Sequence, residues 1–77
     1  MSTDNCMAYS NIEIGKHIAK LRKALGWSMY QLALNSGISN SVLMRVEKGL
    51  REPKVNTLMK IIDGLELTPA EFFRGFK

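Results

Sequence analysis

Apolar residues return along this chain every three or four positions, the period of a helix rather than of a strand. In "SNIEIGKHIAKLRKALG", Ile14, Ile18, Leu21 and Leu25 recur with Lys and Arg between them. That spacing predicts an amphipathic helix over about 11–25. Ser10 with Glu13 three residues later is a capping-box signature, Tyr9 is placed to staple onto Ile14, and Gly26 supplies the stop. A second helix, about 28–35, opens on Ser28 and Gln31, turns Leu32, Ala33 and Tyr30 toward the core and stops at Gly37. The third, about 39–48, takes Ser39 as N-cap and points Leu43 and Val46 inward. Asn40, Ser41, Met44 and Arg45 then share its outward side, because residues three and four apart are neighbours on a helix.

Pro53 holds Glu52 out of helical geometry, so "GLREPK" reads as a loop. In "VNTLMKIIDGL" a fourth helix gathers Val55, Leu58, Ile61, Ile62 and Leu65 on one face, with Gly64 marking its end. The fifth, about 69–75, has the clearest start: Thr68 caps, Pro69 takes the first helical position and Glu71 completes the box. Phe72, Phe73 and Phe76 follow. No strand pattern, repeat or low-complexity segment interrupts this order. The expected fold is all-α, a compact five-helix bundle over residues 10–77, with 1–9 as a frayed polar tail.

Composition narrows the picture. A chain of 77 residues supports one small core and buries roughly 60–65% of its unfolded surface. Cys6 is the only cysteine, so no internal disulfide can form, and with one histidine no Cys/His zinc set is available. No cofactor or metal is expected. No apolar run approaches the ~20 residues that span a bilayer. The first residues lack the basic and apolar regions of a signal peptide. The expectation is a cytoplasmic protein without a membrane partner.

Charge is uneven. Residues 1–15 carry a net −2 and residues 55–77 a net zero, whereas residues 16–54 carry +6. That middle segment is either a solvated cationic face or a surface for a polyanion. Catalysis is not expected. His17 stands alone on a basic helix face, and there is neither a Ser/His/Asp or Cys/His arrangement nor a phosphate-binding glycine loop.

Two helices joined by a short turn containing Gly37 form the core of a helix-turn-helix. Ala33 suits a close helix crossing, Gly37 a turn that needs positive φ, and Ile38 the angle between the helices. At residues 21–53, "LRKALGWSMYQLALNSGISNSVLMRVEKGLREP", the chain resembles the helix-turn-helix of the Cro and phage-repressor (XRE-type) family of bacterial DNA-binding regulators. "TLMKIIDGLELTPAEFF" is similar to that family's fourth and fifth helices. The overall size and the ending just past "AEFF" resemble the small controller proteins of restriction–modification systems, a build shared by Cro-like proteins and some antitoxins.

The resemblance implies a lambda-repressor-like DNA-binding domain whose third helix enters the major groove of double-stranded DNA. It implies base contacts from Asn40, Ser41 and Arg45, with Met44 against a thymine methyl. It implies phosphate contacts from Ser28, Ser39, Lys48 and Arg51, the last also able to reach into a groove. Lys16, Lys20 and Lys23 are read as solvated. Arg22 and Glu47 match positions that form a structural ion pair in the family, with Arg22 on a phosphate as the competing reading. Met29 departs from the family's usual Gln, which shifts phosphate anchoring toward Ser28 and the loop cations, and Trp27 reads as a helix-junction residue.

The implied function is a homodimeric transcriptional regulator on a palindromic operator, paired through Phe73 and Phe76 of the fifth helix. The competing functions are a protein-interaction module of antitoxin or adaptor type, using the same aromatic helix with a partner as yet undefined, and a non-specific nucleic-acid coat held by the +6 segment.

Overall fold

A computed structural model describes residues 10–75. The segment 1–9, with Cys6 and the Tyr9 staple, and residues 76–77, with Phe76, lie outside the described residues. Five helices follow in order: α1 Asn11–Ala24, α2 Met29–Ser36, α3 Asn40–Glu47, α4 Val55–Gly64 and α5 Pro69–Arg74. None of them is long and apolar enough to cross a membrane.

Local chemistry sets their ends. Ser10 Oγ accepts the Glu13 N–H, and Ser39 Oγ accepts that of Val42. The Ser28/Gln31 and Thr68/Glu71 boxes both close reciprocally. At the other ends, α1 to α4 each finish in a paired 6→1 and 5→2 hydrogen-bond turn. Gly26, Gly37 and Gly49 take the left-handed position in three of these turns. In the fourth it is Glu66, at φ 65°, where a side chain costs about 1–2 kcal/mol.

The core is one cluster: Ile18 of α1, Leu32 and Ala33 of α2, Leu43 and Val46 of α3, Ile61 and Ile62 of α4, then Leu65 and Phe72. Each large side chain removed from water contributes about 1.5–3 kcal/mol. α1 packs on α3, α2 on both α3 and α4, and α5 on α4. Two close crossings fix this arrangement. Gly15 is buried where α1 meets α3, and a Cβ there would strike the Val46 carbonyl and the Glu47 backbone. Gly64 is buried against Ser36, whose Oγ a Cβ would overlap. Asn35 of α2 donates to the Gly64 carbonyl at 2.7 Å, tying the same two helix ends.

Three sequence expectations need correction. Tyr30 is 65% exposed and Val55 75% exposed, not core. Tyr30 lies roughly 100° around α2 from the centre of its buried arc, whereas Val55 lies in line with the buried Ile62 but opens α4 two turns before it. Gly64 does close α4, but its lack of a side chain serves the Ser36 crossing; Glu66 takes the turn conformation.

Candidate nucleic-acid interface

The two faces of α3 are built differently. Leu43 and Val46 are fully buried and seat the helix on the core. Its C-terminal turn is held by Arg22 of α1. Arg22 Nε donates to Glu47 Oε2 at 2.7 Å and Nη2 to Oε1 at 2.9 Å, while Nη1 donates to the Trp27 carbonyl at 2.9 Å. The side chains of Arg22 and Glu47 are 11% and 6% exposed. The fork geometry leaves neither charge buried without a partner. The hydrogen bond to Glu47 raises the Arg22 pKa, against an opposing pull from burial. Stability linked to a raised pKa is fully present below the unfolded value and lost only above it. Arg22 therefore stays charged across any ordinary pH range. Three of the five guanidinium N–H donors are spent inside the protein.

Trp27 is half-buried at the junction between α1 and α2, packed against the core. Its carbonyl, gripped by Arg22, immediately precedes Ser28. One guanidinium thus fixes both the end of α3 and the start of α2. Met29 is also half-buried against the core, facing inward where a Gln would present an amide.

The outer face of α3 is open. Asn40, Ser41 and Arg45 are exposed and Met44 is half-buried. Lys48 caps the helix and Arg51 stands in the following loop, both exposed. Among the described residues Arg22–Glu47 is the one ion pair, so Arg45, Lys48 and Arg51 meet no carboxylate. The N-terminus of α3 exposes the N–H groups of its first turn, with the Ser39 lone pair taken by Val42 and its hydroxyl proton left to donate. Ser28 is occupied by its own capping box. Its N–H donates to Gln31 Oε1 and its Oγ accepts the Gln31 N–H, which leaves only the hydroxyl proton for an outside acceptor. The next N–H groups, of Met29 and Tyr30, are the open ones at this helix start.

In α5 Phe72 is fully buried and Phe73 half-buried, their rings edge-to-face at 5.0 Å. His17 is not isolated on a cationic face. It is half-buried, its Nε2 lies 2.8 Å from the Phe72 carbonyl and its ring meets Phe72 at 4.8 Å. Sequence spacing within α1 could not show this, because the partner is 55 residues away. An apolar groove of about 140 Å³ lies between Leu21, Ala24, Leu25, Leu65 and Leu67, with Leu25 47% exposed.

A short helix seated by its inner face, presented beyond a glycine turn and carrying cations outside that meet no carboxylate among the described residues, defines a helix-turn-helix module. The helix-turn-helix family HTH_3 matches residues 18–72, and the chain belongs to that family. The Bacillus subtilis HTH-type transcriptional regulator SlrR is 41% identical over 61 residues, 78% of this chain and 40% of that protein. An uncharacterised HTH-type regulator of Mycobacterium tuberculosis is 37% identical over 60 residues. The chain spans 40% of the first relative's length and 23% of the second's. Among solved structures, the restriction–modification controller protein C.AhdI from Aeromonas hydrophila is 32% identical with a TM-score of 0.77, over 82% of this chain and 96% of that one. The controller protein C.Esp1396I, solved as a tetramer with its natural 35 base-pair operator, superposes with a TM-score of 0.82 over 86% of this chain and 87% of that one. At 24% identity the latter likeness is one of fold.

Proposed function

We propose that this chain is a sequence-specific double-stranded DNA-binding transcriptional regulator, acting in the cytoplasm as a homodimer on a two-fold symmetric operator. It is a binding protein, not an enzyme. The observation that carries the reading is the outer face of α3: Asn40, Ser41 and Arg45 are exposed on a helix whose opposite face is fully seated.

In this reading the N-terminal half of α3 enters the major groove. Arg45 is long enough to pair both acceptors of a guanine, Asn40 is suited to adenine, and Ser41 lets the backbone come close. Met44 supplies an apolar edge for a thymine methyl. Lys48, Arg51, Ser39 and the Ser28 hydroxyl hold phosphates and fix the docking register. Arg22 and Glu47 keep α1 and α3 rigid, so that register is not lost when the phosphates are gripped. One module reads few bases. A dimer formed through Phe73 and Phe76 would read two half-sites about 34–36 Å apart.

Selection of bound duplexes from a random library near physiological salt tests the reading. Enrichment of a two-fold symmetric site supports it. Binding without enrichment, collapsing as salt rises, would reduce the interface to backbone attraction. A second reading, a protein-interaction module, is favoured by the open Leu21–Leu67 groove and half-buried Phe73. A stoichiometric complex with a different protein, formed by a chain that fails to enrich any duplex, would favour it.

A further inference from the structure

One side of α1 is given over to the carboxyl end of α3. Ile12, Gly15 and Arg22 follow at intervals of three and seven, which places them along a single stripe of the helix. Arg22 grips the Glu47 carboxylate, and Gly15 lies against the backbone of Val46 and Glu47. Ile12 meets what comes next. Gly49 takes its left-handed turn at φ 73°, and a Cβ on it would sit 2.9 Å from Ile12 Cγ1 and 3.1 Å from Ile12 Cα. The turn that ends α3 thus rests on the first turn of α1, which Ser10 holds by accepting the Glu13 N–H. Little else holds the loop beyond it. The Leu50 N–H closes the turn on the Arg45 carbonyl at 2.9 Å. Arg51 and Glu52 are exposed and make no hydrogen bond or ion pair among the described residues. Half-buried Pro53 then leads into α4. Arg51 therefore stands two residues from the Ile12 contact with nothing between to support it.

We infer that Ile12 is a positioning residue for the DNA-binding surface: by seating Gly49 it fixes the start of the following loop, and so the point at which Arg51 reaches a phosphate. The inference rests on the phosphate role given to Arg51 above. Ile12 itself touches no DNA. A charged side chain on an unseated loop loses part of its binding energy to ordering that loop, and a seated turn removes much of the cost. Ile12 is 54% exposed, so seating the turn, rather than filling the core, is what it contributes.

The test is fluorescence anisotropy of a random-sequence duplex pool titrated with the full chain over a series of salt concentrations. The readout is the slope of log affinity against log salt, which counts neutralised phosphates. Arg51→Ala should make the slope shallower by about one. Ile12→Ala should produce at least about half of that change, and the double variant should match Arg51→Ala, because both act through one contact. Ile12→Val keeps a branched carbon over Gly49 and should hold the wild-type slope. Urea unfolding checks that each variant is folded, and the midpoint should move little for a side chain already half in water. An unchanged slope in Arg51→Ala overturns the phosphate reading and this inference with it. A shallower Arg51→Ala beside an unchanged Ile12→Ala overturns the inference alone. So does a double variant in which the two losses add, since Ile12 would then act elsewhere, or an Ile12→Val as shallow as Ile12→Ala.

Discussion

The two faces of α3 obey opposite rules. On the inner face every feature is matched by something inside the protein: Leu43 and Val46 by the core, the Glu47 carboxylate by Arg22, and the helix backbone by the bare Gly15 of α1. On the outer face Asn40, Ser41 and Arg45 are exposed, and Arg45 meets no carboxylate among the described residues. The inner face determines where the helix stands. The outer face is left free to be determined by what the helix meets. A side chain that contributes nothing to stability can change without unfolding the domain, so target preference and stability become separable on one eight-residue element.

Substitutions on the inner side should break this contrast most strongly. Arg22→Met strands the nearly buried Glu47 carboxylate and should cost about 3–5 kcal/mol in urea unfolding. The double variant Arg22→Met/Glu47→Leu should recover most of that loss, because no charge is then left buried without a partner. A double variant as unstable as the single one would mean that the pair acts through packing. Gly15→Ala should follow, costing about 1–3 kcal/mol by pressing on backbone that cannot yield. It should also weaken DNA binding evenly across sequences, since it tilts the whole of α3.

Away from α3 the expected effects are smaller. Glu66→Gly should stabilise by about 0.5 kcal/mol, relieving the left-handed side chain at some cost in unfolded-state entropy. Loss of stability in that variant would show that the turn is not strained. The Thr68 hydrogen bonds hold Glu71 below its usual carboxylate range. A lowered pKa gives stability that is present above the unfolded value of about 4.3 and lost as pH falls through the folded one. Glu71→Gln should therefore flatten the acid side of the stability profile slightly, and a profile identical to wild type would remove Glu71 from the account.

Much of this architecture was legible in the sequence where the cause was local. The Ser28/Gln31 and Thr68/Glu71 boxes and the glycine stops at 26 and 37 lie within a few residues of what they satisfy, and the helix bounds follow from them. Features that depend on which helices cross were not legible. Gly15 drew no expectation from its neighbours, although a glycine inside a helical period is the signal that a backbone passes close. Gly64 was read as a stop because its partner Ser36 lies on another helix. Ser36 Oγ is buried there without a hydrogen-bond partner among the described residues, a cost that no local pattern announces. Tyr30 and Val55 failed for a different reason: a periodic face has margins and ends, and Tyr30 at an edge and Val55 at the first position of its helix are apolar without being covered. At the interface, exposure of Asn40, Ser41 and Arg45 follows from their period against Leu43 and Val46. The closure of the Ser28 N–H by Gln31 was legible too, since a capping box closes the N-cap N–H as well as the N3 N–H.

The central claim, that the outer face of α3 reads bases while its inner face only supports it, is tested most directly by Arg45→Ala. The measurement is duplex selection from one random library, run in parallel for wild type and variant, with the unfolding free energy of each. The predicted result is stability within about 0.5 kcal/mol of wild type, preference relaxed at one base pair in each half-site, and affinity for the selected site lowered by about 1–3 kcal/mol. Equal loss on every sequence, or an unchanged preference, would contradict the account.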